Sequence, residues 1–131
     1  MFNIASITPI TQKLGFTLPN GETAKFKFHV VGQDSRQFKD ASKKFATLML
    51  AHEAAGTKPS VDEIQNGNLE MMTACVVGWE DFTEDDGTAI PYSPEAARWI
   101  IGHPGTAYIR EQVEAYIGQR ANFFRKSDQE A

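Results

Sequence analysis

The chain has 131 residues, 41% hydrophobic and 23% charged, with a net charge of −4, which is the size and balance of one globular domain able to hold a core without disulfides or a metal. The acidic balance argues against a nucleic-acid binder, because neutralising phosphates calls for a basic stripe. The single cysteine, Cys75, excludes an intramolecular disulfide, and no apolar run approaches the ~20 residues of a membrane helix, so the chain reads as an intracellular protein of a reducing cytoplasm.

Charge is unevenly spread. Residues 1–65 hold 8 Lys/Arg and 6 Asp/Glu, a balance of +2, whereas residues 66–131 hold 5 and 11, a balance of −6. Arg36, Lys39, Lys43 and Lys44 form the densest basic group, and Asp34, Asp40 and Glu53 dilute it. That pattern reads as a solvated helix face.

In chain order, Ile4, Ile7 and Ile10 are interrupted by Pro9 and suit an edge or an arm. Gln12 to Leu18 is a short strand candidate, and Pro19-Asn20-Gly21-Glu22 supplies turn chemistry, since Asn-Gly adopts the positive φ angles of tight hairpins. Thr23 to Val31 alternates, with Phe26, Phe28 and Val30 on one face and Lys25, Lys27 and His29 on the other. The period then becomes helical. Phe38, Ala41, Phe45, Leu48, Met49 and His52 make one stripe over roughly residues 35–55, with Gly56 and Pro59 as stop signals.

Ser60-Val61-Asp62-Glu63 is a capping box that opens a second helix. Its stripe is Ile64, Leu69, Met72, Val76 and Trp79, which carries the expected helix past Cys75. Asn66-Gly67-Asn68 interrupts it, so this stretch is one helix or two short ones joined by a turn. An acidic loop, Glu80 to Gly87, ends in an Asp-Gly turn, and Ala89 to Tyr92 is extended. Ser93-Pro94-Glu95 starts a further helix bearing Ala97, Trp99, Ile100 and Ile101. The last helix is expected over about Thr106 to Phe124, and Arg125 to Ala131 is a short polar tail. The expected fold is α+β: one mostly helical domain over residues 1–124 with an N-terminal β-hairpin at about 12–31.

No pattern of catalytic or cofactor chemistry survives inspection. Counted from Asp81, the sixth and twelfth positions of an EF-hand loop would be Asp86 and Tyr92 instead of Gly and Glu. His29, His52 and His103 fall in a strand, a helix and a loop, at no metal-ligand spacing with one another or with Cys75. Cys75 lies in an apolar run and reads as a small hydrophobe. Glycine-rich phosphate loops and a GxSxG elbow are missing from the sequence. Glu111 and Glu114 share one side of the last helix with Arg110 adjacent, a surface charge pattern.

The aromatic residues say more. Each large ring buries about 150–250 Å² when it enters a core, and an exposed one is a natural anchor for a partner. Trp79, Phe82 and Trp99 around the acidic loop, and Phe123-Phe124 at the edge of the tail, are the candidate protein-contact residues. No catalytic, cofactor or metal residue is assigned.

The run Ala74-Cys75-Val76-Val77-Gly78-Trp79-Glu80-Asp81-Phe82, followed by Asp85 to Ala97, resembles the tail assembly chaperones of long-tailed bacteriophages. The ending Ile117-Gly118-Gln119-Arg120-Ala121-Asn122-Phe123-Phe124 is similar to theirs as well. The resemblance covers roughly the C-terminal half and rests on structural motifs. It implies a non-enzymatic protein that coats the long helical tape measure protein, keeps it soluble and helps recruit tail tube subunits. It also implies action in the host cytoplasm, absence from the finished particle and, in many phages, a frameshifted longer form. A long target carrying many copies suits weak self-association. The alternative expectation is a structural component kept in the virion, such as a neck, tube or head–tail joining protein.

Overall fold

A computed structural model describes residues 8–124; Ile4, Ile7 and the polar tail of residues 125–131 lie outside them. Two strands, β1 (Gln12–Thr17) and β2 (Thr23–Val30), form the expected hairpin. Its turn closes through Gly21 N–H donating to Leu18 O at 2.9 Å and Leu18 N–H to Glu22 O at 2.7 Å. Gly21 has φ of 90°, the left-handed value that glycine takes without a Cβ penalty. The Asn20 side chain accepts from Glu22 N–H at 3.0 Å, an Asx turn that fixes the register from within.

Helix α1 (Arg36–Ala55) is capped by Ser35, whose Oγ accepts from Phe38 N–H at 3.1 Å, and it stops at Gly56 in the left-handed conformation. Helix α2 (Val61–Ala74) starts with the full capping box: Ser60 Oγ accepts from Glu63 N–H at 3.0 Å, and Glu63 Oε1 accepts from Ser60 N–H at 2.9 Å. It runs unbroken through Asn66-Gly67-Asn68, so this is one helix and not two.

The expected continuation of α2 to Trp79 is wrong. The helix ends at Ala74, and Val76–Glu80 is a third strand, β3, antiparallel to β2 in a sheet of order β1-β2-β3. Phe28 faces Trp79 and His29 faces Gly78, yet Val30 faces Val76. Val77 is therefore the extra residue of a β-bulge, and the bulge puts Val76 and Trp79 on the same inner face. In a regular strand, residues three apart point to opposite faces. The bulge thus produced a spacing that imitates one face of a helix.

Helix α3 (Pro94–Gly102) has Ser93 as N-cap and Pro94 at its start. Helix α4 (Ala107–Ile117) follows a 3₁₀ turn at Pro104–Thr106. It stops at Ile117, short of the expected Phe124, and a second 3₁₀ turn follows at Arg120–Phe123. Among the described residues the architecture is α+β, with four helices and a three-stranded antiparallel sheet.

One core joins the inner face of the sheet to α2, α3 and α4. It contains Phe16, Phe28, Val30, Met72, Cys75, Val76, Ile101, Ile109, Val113 and Phe123. An aromatic layer runs along it, with Phe28 packed on Trp79 at 5.2 Å and Trp79 on Tyr92 at 5.1 Å between ring centroids. None of the 20 residues of α1 is buried. This helix packs chiefly on α2 and stands outside the core. Among the described residues, no helix is long and apolar enough to cross a membrane.

Candidate functional site: a groove walled by α1

The approach of α1 to α2 is set by Gly67. A Cβ built there would lie 2.1 Å from Phe45 Cδ1, so the Phe45 ring sits directly on the bare backbone of α2. Near the far end of the pair, His52 holds the helices together. Its Nε2 lies 3.1 Å from both carboxylate oxygens of Glu63, and its Nδ1 lies 2.7 Å from Thr57 Oγ1. The Ser60 N–H and then His52 hold the Glu63 carboxyl below the ordinary glutamate range.

Beside this contact a groove of about 670 Å³ opens between α1, α2 and the start of α3. Ala41, Phe45 and Leu48 form its α1 wall, with Asp40 and Lys44 at the rim. Gly67, covered by Phe45, and Ala74 lie along its floor, and Val77, Tyr92 and Pro94 form the opposite wall. From Gln37 to Leu48 the α1 wall is about 17 Å long, three turns of helix. The charges on the α2 and α3 side are already matched. Arg98 Nε donates to Glu70 at 2.6 Å, and the same guanidinium donates to Asn66. An apolar occupant could therefore enter without stranding those ions, which would be costly.

The candidate contact residues lie elsewhere. Trp79 is half-buried in β3, not at a helix-to-loop junction, and its Nε1–H donates to Ile90 O at 2.7 Å. Phe82 packs edge-on against Phe26, Phe28 and Trp79. Phe123 is 1% exposed and packs against Tyr116, so it is a core residue and not a surface anchor. Phe124 is half-buried against the core. Trp99 alone of the five is exposed, at 62%. The groove residues Ala41, Phe45, Gly67 and Tyr92 were outside that set, although the α1 stripe and the mid-helix glycine carried their signal.

His29, Asp86 and Cys75 are tied into the fold. His29 Nε2 lies 3.2 Å from Glu80 Oε1, and Lys13 Nζ lies 3.1 Å from the same oxygen, a cross-strand cluster on the outer face of the sheet. His29 and then Lys13 hold the Glu80 carboxyl below its ordinary range. In the acidic loop, Asp86 Oδ1 accepts from Thr88 N–H at 2.9 Å, which lowers its pKa, and Gly87 has φ of 88°. Cys75 is buried at the end of α2, and burial pushes its thiol up to about 12. Among the described residues, no three His, Cys, Asp or Glu side chains gather where they could hold a metal.

Neither a family model, nor a curated protein, nor a solved structure matches the chain.

Proposed function

We propose that the chain is a non-enzymatic assembly chaperone that holds an apolar helical segment of a partner in the groove walled by α1. The observation that carries this reading is α1 itself, a 20-residue amphipathic helix with no buried residue. A helix whose apolar stripe is only partly covered stands ready to complete its packing with another helix. The small residues Ala41 and Ala74 admit a close backbone approach, and Phe45, seated on Gly67, and Leu48 supply apolar contact.

The resemblance of residues 74–124 to phage tail assembly chaperones supplies the partner. On this reading the occupant is a stretch of the tape measure protein, whose long apolar helices need cover until tail tube subunits are recruited around them. The work is done in the host cytoplasm, the chaperone is absent from the mature virion, and copies side by side on one target associate weakly. Trp79, Phe82 and Tyr92, which carry much of the resemblance, build the aromatic layer behind the groove wall.

Co-expression with the tape measure protein of the same genome tests the proposal. The expected result is a partner that is insoluble alone and soluble in a complex that purifies intact. A tape measure protein equally soluble alone, with no complex recovered, would sink it. Recovery of this chain from purified virions by mass spectrometry would instead favour a structural component.

A further inference from the structure

A second cleft lies along α3, sharing Pro94 and Arg98 with the groove, and it holds the one exposed tryptophan. It measures about 610 Å³ and is lined by Pro94, Glu95, Arg98, Trp99, His103 and Pro104. Trp99 is 62% exposed, and its ring lies over His103 with centroids 4.6 Å apart. The His103 ring is itself fixed, because Nδ1 accepts from Gly105 N–H at 2.9 Å. The indole therefore rests on a held support and is a preformed platform, which lowers the ordering cost of binding.

One helical turn before Trp99 stands Glu95, on the same face of α3. Its carboxylate is exposed and makes no ion pair or hydrogen bond among the described residues. Arg98 offers no compensating charge, since its guanidinium is engaged by Glu70 and Asn66. The half of the chain that carries the cleft has 5 basic and 11 acidic side chains, a field that draws cations.

We propose that this cleft receives an arginine side chain presented by a basic segment of a partner protein, with the guanidinium stacked on Trp99 and Glu95 as its counter-charge. Arginine fits better than lysine because its planar, weakly hydrated head stacks on an aromatic face while pairing with a carboxylate. Pro94 and Pro104 provide apolar walls for its methylene stem. The inference does not depend on what fills the groove, since Glu95, Trp99 and His103 line this cleft and not the groove.

The chain has two tryptophans, so its two indole N–H signals in a ¹H–¹⁵N spectrum report separately on this cleft and on the core. Hexa-arginine, titrated at about 150 mM salt to suppress diffuse attraction, should shift the Trp99 signal saturably and leave the Trp79 signal in place. Hexalysine should bind several-fold more weakly. Trp99→Ala should weaken hexa-arginine about fivefold, Glu95→Gln about twofold to threefold, and the retained Trp79 signal would certify the fold. An unmoved Trp99 signal at saturation, or unchanged affinity in Trp99→Ala, would overturn the proposal. So would a response to a proline-rich peptide lacking arginine with none to hexa-arginine.

Discussion

A glycine in the middle of a helix ordinarily costs about 1 kcal/mol against alanine, so Gly67→Ala would stabilise α2 taken alone. In the folded chain the new methyl would lie 2.1 Å from the Phe45 ring, and overpacking outweighs the helix gain. Gly67→Ala is expected to destabilise by about 1 kcal/mol net, limited because Phe45 sits on a helix that can yield. Gly32→Ala meets a stiffer neighbour: its Cβ would lie 2.5 Å from Phe123, a buried ring. That variant should lose about 2–3 kcal/mol. Urea denaturation of both checks the order, and a Gly67→Ala protein more stable than the parent would contradict the packing argument. The two glutamates at helix and sheet contacts give an acid dependence. Glu63 and Glu80 titrate below the ordinary glutamate value in the folded chain. Their contribution is therefore complete above that value and is lost as pH falls through the lowered one. Denaturant midpoints of Glu63→Gln and Glu80→Gln should show a shallower acid limb than the parent; identical limbs would contradict the pairing with His52 and His29.

At the scale of elements, the hairpin was legible because its signals are local. Asn20-Gly21 demands the turn, and alternation from Ala24 to Val30 fixes the buried face. The start of α2 was legible for the same reason, through its capping box. The third strand was not. Val76 and Trp79 continue the spacing of Met72, and only pairing with β2, some fifty residues earlier, reveals the bulge at Val77. The β-branched pair Val76-Val77 and the following Trp79 were the available strand signal. The end of α4 was missed similarly, because Phe123 joins the core from a 3₁₀ turn. The α1 stripe is amphipathic in sequence and in structure, but periodicity cannot say whether a stripe meets the core or stays open. This matters for dynamics: a helix with no buried residue opens more readily than elements that carry the core. Hydrogen exchange should therefore release the mid-helix amides of α1 well before those of β2 or α4. Equal protection across the three would contradict an outlying α1.

At the scale of the molecule, the core and the candidate groove use separate parts of the chain. The sheet, α3 and α4 form the stable body together with the C-terminal end of α2. The remainder of α2 and all of α1 project a partly covered apolar surface from it. Little of that site is legible in the sequence, because residue type alone marks the five aromatic candidates, and burial absorbs Phe123 fully and the others but Trp99 in part. The groove arises from how two helices pack, through one glycine and one histidine. The central claim, that its α1 wall contacts the partner, is tested most directly by two substitutions on one helix. Ala41→Glu places a charge inside the groove, whereas Leu50→Glu changes a side chain that is 65% exposed and outside it. Co-expressed with the proposed partner, a tape measure protein, the Leu50→Glu chain should recover as much soluble complex as the parent, and the Ala41→Glu chain should recover at least about tenfold less. Equal recovery by both variants would contradict the account.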